Sequence, residues 1–253
     1  MKYCHTQLQF LTSLEIGSFV SPKSVPAMEN TDVLLQKLLT EQNNYSVLIP
    51  NIYGYKLAKD NNAKEICLVL CASETMNKEN INKDISETTS EFKNIIKISK
   101  KDEIRSKVYI SVAFECPYEG LIDPSFIIDK AKEFISCGID EVVIADTIGA
   151  AQPNQVKALF KELISEFSLS QISAHFHDTR LLALDNVIAA MDEGIHKFDS
   201  CIAGLGGCPF APGASGNLAT EDLVSMLHKK GIDTCINEEM LLDSVKLAVQ
   251  LTS

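Results

Sequence analysis

The sequence predicts an α/β chain folded as a TIM-type (β/α)8 barrel with seven of its strands readable. Three observations predict it. Seven apolar, strand-like runs alternate with helical patterns, the pattern of βαβ units and a parallel sheet. The chain has 253 residues, and barrels of this type run to about 250. Polar residues recur where the strand-like runs end, and in such barrels the site lies at the C-terminal ends of the strands. Right-handed crossovers keep successive helices on one side, so the sheet can close. No linker rich in Pro, Gly or Ser divides the chain, and 1–253 reads as a single domain.

Residues 1–11 look like the remains of a helix, through Leu8, Phe10 and Leu11. Strand-like runs stand at Thr12–Gly17, Tyr45–Ile49, Glu65–Cys71, Lys107–Ala113, Glu141–Ala145, Gln171–Phe176 and Lys197–Ile202. Asp123-Pro124 reads as an N-cap with Pro at the first helical position, and Cys137-Gly138 closes that helix. Pro153 opens Asn154–Phe167, Asp178 or Thr179 caps a helix ending at Gly194, and Thr220 begins one ending at Gly231. Asn237 caps a last amphipathic helix, Glu238–Leu251. A closed barrel needs eight strands. Either one is missing at the front or one has gone unread.

Composition excludes several classes. A net charge of −11 and a pI near 4.9 exclude a nucleic-acid partner, which needs a basic footprint. Any phosphate site must therefore be local. No apolar run reaches the roughly 20 residues that span a bilayer. The start, Met1-Lys-Tyr-Cys-His5, has neither an export signal nor an Arg-rich transit pattern. The expectation is a cytoplasmic protein, or one of the mitochondrial matrix if a natural start is missing. The eight cysteines are irregularly spaced without a CxxC, and most read as reduced and buried.

Ser173-Ala-His-Phe-His-Asp-Thr179 carries the chemistry. Residues two apart on a strand share a face, so His175 and His177 project side by side at a strand end. Paired imidazoles suit one divalent cation. The plainer reading is one core and one surface histidine. Glu15, Tyr109 and Asp146-Thr147 are further polar residues at or near strand ends, each equally explicable as a cap or a loop hydrogen bond.

Residues 203–217 hold five glycines and two prolines without the dinucleotide-binding spacing. A lid over a barrel mouth fits them better. Cys208 in such a lid could exchange a proton when it shuts; otherwise it is a small residue in a tight turn. Asn217 is either a metal ligand through its carbonyl oxygen or the N-cap of the following helix.

With these segments in view, the chain resembles the 3-hydroxy-3-methylglutaryl-CoA lyase family of metal-dependent aldolase-type barrels. The matching segments include Glu15–Lys23, Pro50-Asn51, Ala72-Ser-Glu74, Cys116-Pro-Tyr-Glu-Gly120, Asp146-Thr-Ile-Gly149, His175–Thr179 and Ala203–Asp222. The stretch GLGGCPFAPGASGNLATED is the most specific of them. The resemblance implies His175, His177 and Asn217 as ligands of Mg²⁺ or Mn²⁺. It implies Glu15, Asp146, Tyr109 and the lid thiol of Cys208 as catalytic groups, with Glu221 and Thr147 close to the substrate. The implied reaction is cleavage of the acyl-CoA to acetyl-CoA and acetoacetate, a step of leucine degradation and ketone-body formation. A homodimer is compatible with the resemblance, and no nucleic-acid or membrane partner is expected.

The family also has an Arg-Asp-Gly-Leu-Gln strand end, which supplies a metal ligand and an oxyanion partner. The only arginines here are Arg105 and Arg180, in other contexts. On that ground little activity is expected of the chain as written. Two other readings stay open: a related synthase condensing acetyl-CoA with a 2-oxo acid, and a non-catalytic barrel remnant.

Overall fold

The computed structural model describes residues 13–39, 44–206 and 216–252. The chain forms two compact units, one of Ser13–Ala145 with Ser170–Ile172, the other of Asp146–Leu169 with 173–252 among the described residues.

The first unit opens with β1 (Leu14–Ser18), then α1 (Thr31–Leu38), β2 (Tyr45–Leu48), α2 (Ile52–Asp60) and β3 (Glu65–Cys71). Next come α3 (Glu74–Ile81), α4 (Ile85–Lys101) and β4 (Arg105–Ser111). A two-stranded hairpin, β5 (Glu115–Cys116) and β6 (Gly120–Leu121), precedes α5 (Pro124–Ser136) and β7 (Glu141–Asp146). The long strands pair in parallel in the order β1-β2-β3-β4-β7. These strands are apolar on both faces because helices cover one side of the sheet and strand side chains fill the other. Ile66, Leu68, Leu70, Val108, Ile110, Val142 and Ile144 are fully buried. Phe92, Ile95 and Ile96, on one face of α4 at helical spacing, supply part of that cover, and the Phe92 ring lies 6.5 Å from Phe134 of α5.

Charges are buried where β3, β4 and β7 begin. Lys107 forms an ion pair with Glu65 at 2.8 Å, and Arg105 pairs with Glu65 at 3.3 Å and with Glu141 at 2.8 Å. The Cys67 thiol is pushed well up, by burial first and then by the Glu15 carboxylate, so it stays protonated. The reduced cysteines expected from sequence are borne out for Cys67, Cys71, Cys116, Cys137, Cys201 and Cys235, but only the first three are buried.

The second unit holds α6 (Pro153–Glu166), β8 (Ile172–Phe176), α7 (Ala183–Asp192), β9 (Phe198–Asp199), α8 (Thr220–Lys229) and α9 (Glu238–Thr252). β8 and β9 run parallel, with His175 opposite Asp199. Val156, Leu159 and Phe160 of α6 and Val187 and Ala190 of α7 form its core. All seven expected strands are present, with one correction. The run at Lys197–Ile202 is a strand only over Phe198–Asp199, because the chain turns into a 3-10 segment at Ile202–Gly204 with Ala203 at φ 57°. No helix of the described residues is long and apolar enough to cross a membrane.

Candidate metal centre

In the second unit, four stretches far apart in sequence converge at the end of β8. The first is the loop after Asp146. Its carboxylate accepts the amides of Ala150 at 2.9 Å and Ala151 at 3.0 Å, which turns the loop tightly. Gly149 lies at the bottom of that turn with φ +63°. A Cβ there would sit 2.9 Å from the carbonyl oxygen of His177 and 2.8 Å from the amide of Thr179. Glycine is required so that the loop can lie against the histidine strand. The His177 amide in turn donates to the Asp146 carbonyl at 3.2 Å.

The second stretch is β8 itself. As the two-residue spacing predicts, the His175 and His177 rings lie together, with centroids 5.2 Å apart. His177 is buried, and its Nδ1 has no hydrogen-bond partner among the described residues. The Thr179 hydroxyl is in the same condition. Burial first, and then the neighbouring His175, pull the His177 imidazole down to about 4, so it is neutral at physiological pH. Neutral imidazole is the form that binds metal. A buried polar atom without a partner is costly unless something outside the polypeptide satisfies it.

The third stretch is the exit of the glycine-rich loop. Asn217 pairs with His177 in an isolated antiparallel bridge. The Leu218 amide donates to Phe176 at 3.0 Å, and the Asp178 amide donates to Gly216 at 3.2 Å. The Asn217 side-chain amide nitrogen donates to the Leu205 carbonyl at 2.8 Å. With the nitrogen so committed, the side-chain oxygen is the group left for a ligand. The helix-cap alternative for Asn217 is corrected here, since the N-cap of α8 is Ala219. Likewise α7 takes Leu182 as its N-cap, although the Asp178 carboxylate still accepts the Ala183 amide at 3.0 Å.

The fourth stretch is β9 and the 3-10 turn beyond it. Asp199 reaches His175 Nδ1 at 3.4 Å, a carboxylate–imidazole contact of the kind that fixes a ligand ring. In the sequence Asp199 is only one more polar strand-end residue. Its partner becomes visible once β8 and β9 are in register. Glu221 accepts the Ala203 amide at 3.1 Å and so holds the 3-10 turn in its left-handed step.

Asp146 is buried, and burial raises its carboxyl to about 6 against the pull of the Ala150 and Ala151 amides, Arg180 and His175. It therefore lies within reach of both protonation states near neutral pH. Thr147 is its neighbour in the chain and is half-buried. Glu15, exposed on β1, and Tyr109, half-buried on β4, belong to the first unit. Cys208 and most of the 203–217 loop lie outside the described residues. Among the described residues no cluster of three or more His, Cys, Asp or Glu side chains is arranged around a metal position. What this end of β8 brings together is two imidazoles and, through the backbone bridge to His177, Asn217.

Residues 11–247 match the HMGL-like family. The hydroxymethylglutaryl-CoA lyase YngG of Bacillus subtilis is 40% identical over 93% of this chain and 79% of its own. The mitochondrial hydroxymethylglutaryl-CoA lyase of Homo sapiens is 43% identical over 92% of this chain and 72% of its own. Among solved structures, an HMG-CoA lyase from Acinetobacter baumannii in complex with coenzyme A and 3-methylmalate superposes with a TM-score of 0.91 at 35% identity, covering 97% of this chain and 83% of its own.

Proposed function

Since the chain belongs to the HMGL-like family, we propose that its barrel is built to cleave 3-hydroxy-3-methylglutaryl-CoA into acetyl-CoA and acetoacetate, with a divalent cation held by His175, His177 and the Asn217 side-chain oxygen. The observation that carries the reading is the buried Nδ1 of a neutral His177, without a hydrogen-bond partner among the described residues, beside a second imidazole and an asparagine. Two imidazoles with oxygen donors suit Mn²⁺, and octahedral Mg²⁺ also accepts such a shell. The bound cation would polarise the tertiary hydroxyl of the substrate and ease loss of its proton.

The chain's own groups supply the rest. Asp199 orients the His175 ring. Asp146, raised to about 6, can hold or release a proton near neutral pH, which suits a group that takes the hydroxyl proton. The amides of Ala150 and Ala151 fix that carboxylate in place. Tyr109, Glu15, Thr147 and Glu221 are proposed as further groups of this reaction, on the resemblance of the segments that hold them. Cys208 is the proposed donor to the enolate carbon after the carbon–carbon bond breaks, under a lid of residues 203–217 that keeps water away. The acyl-CoA is the only partner this chemistry requires.

The test is Mn²⁺ binding followed by electron paramagnetic resonance, together with acetoacetate release from the acyl-CoA. One tight site that His177→Ala removes, and acetoacetate release that depends on it, are the expected results. Mn²⁺ affinity unchanged in His177→Ala would overturn the ligand assignment. Coenzyme A released only when acetyl-CoA is supplied with a 2-oxo acid would transfer the chain to the condensing synthases.

A further inference from the structure

The turn after the histidine strand carries a residue the fold does not need. Leu181 has φ 57°, the left-handed region that glycine enters freely and a leucine rarely adopts. Its side chain is 82% exposed, more than any other large hydrophobic side chain among the described residues. A glycine would relieve the backbone and remove apolar surface from water at once. Packing within the described residues does not repay either cost. Strain of this kind persists where it serves a site, and the location is a site. Leu181 stands four residues after His177. Its amide donates to the Asp178 carbonyl at 3.0 Å, and the Asp178 amide is tied to Gly216, next to Asn217.

We infer that Leu181 is a rim contact for the pantetheine arm of a CoA thioester, and so helps set the preference for CoA esters over short ones. The inference rests on the lyase reading above. In that reading the acyl end of the substrate must reach the His175–His177 pair, while its nucleotide end stays in solvent. What crosses the rim is the connecting arm, a flexible chain of methylenes and amides. An exposed leucine fixed by its backbone offers that arm apolar surface without first having to be ordered.

Equilibrium titration of acetyl-CoA in saturating Mn²⁺ tests this with the wild type, Leu181→Gly and Leu181→Met. Losing the contact should weaken acetyl-CoA by about tenfold in Leu181→Gly, the low end of the roughly 10–200-fold range for one apolar group in a pocket. Leu181→Met should stay within about threefold, because it restores comparable apolar surface. Mn²⁺ affinity should be the same in all three, and the Leu181→Gly melting temperature no lower than that of the wild type. Acetyl-CoA affinity of Leu181→Gly within twofold of the wild type would overturn the inference, even if the oligomeric state of that variant changed. A wild type that binds Mn²⁺ but no acetyl-CoA would instead overturn the lyase reading, and this inference with it.

Discussion

At Gly149 a single methyl group decides whether the histidine strand can end as it does. The loop after Asp146 touches the backbone of His177 and Thr179 with no room for a Cβ, at φ +63°. Gly149→Ala would add left-handed strain, on the order of 1–3 kcal/mol, and would push that loop off the strand. It should therefore lower both the melting temperature and Mn²⁺ affinity, the latter by about tenfold or more if displacing the strand also moves the His177 ring. A variant that melts lower but binds Mn²⁺ normally would show that the loop supports the fold alone. Asp146 and His177 carry a second, pH-dependent argument. The Asp146 carboxyl is raised from 3.8 to about 6, so its contribution is full below about 3.8 and is lost as pH rises through 6. His177 is depressed from 6.5 to about 4, so stability is lost as pH falls from about 6.5 to 4. The two oppose each other between about pH 4 and 6. In metal-free protein, Asp146→Asn should leave the histidine unopposed, and urea midpoints should fall more steeply between pH 7 and 5 than in the wild type. Equal slopes would mean that Asp146 is not the compensating group.

At the scale of elements, the starts of β3, β4 and β7 are joined by charge. Lys107 and Glu65 are both nearly buried, at 9% and 7% side-chain exposure, so neither can turn to water if its partner goes. Lys107→Met should cost up to about 3 kcal/mol, the lower end for breaking a buried pair, because Arg105 still reaches Glu65 at 3.3 Å. Glu65→Gln in the same background should recover part of that loss, because it removes a buried charge that has lost its nearer partner. A denaturation series without recovery would deny the coupling. None of this pairing was legible in the sequence, where Glu65 and Lys107 are simply the first residues of two strand-like runs. The strands themselves were legible, because burial on both faces writes long apolar runs such as Ile66–Cys71. The shorter elements were not. The hairpin of β5 and β6 has two residues in each strand, too few for any alternation to show. The start of α4 was readable in principle, since Asp84 and Glu87 form a complete capping box. The strand-like run at Lys197–Ile202 outlasts its strand because a left-handed alanine gives no compositional signal.

At the scale of the whole molecule, the candidate site divides into what spacing can encode and what only folding can. The spacing of His175 and His177 fixes their common face, and the rings are indeed together. Asn217 is 40 residues beyond His177 (217 − 177), so no local pattern could join them, and its assignment comes from family resemblance. The carboxylate behind His175 and the strained Leu181 depend on register and backbone angle, which composition does not carry. Net charge bears on the final test. With a formal charge of −11, the chain attracts divalent cations everywhere, so metal-dependent stabilisation at low salt would prove little. Diffuse attraction is screened within about 8 Å at 0.15 M salt, whereas a site at a partly buried imidazole pair is screened much less. Mn²⁺ at about 100 times its dissociation constant should add about 2.7 kcal/mol, which for a chain of this size raises the melting temperature by about 5–10 °C. That rise should persist in 0.2 M KCl, vanish on adding a chelator, and be absent from His177→Ala. Ca²⁺, which prefers an all-oxygen shell, should give a much smaller one. Equal shifts from Ca²⁺ and Mn²⁺, or a shift lost in salt, would reduce the effect to surface charge and remove the physical basis for a metal-assisted reaction at this site.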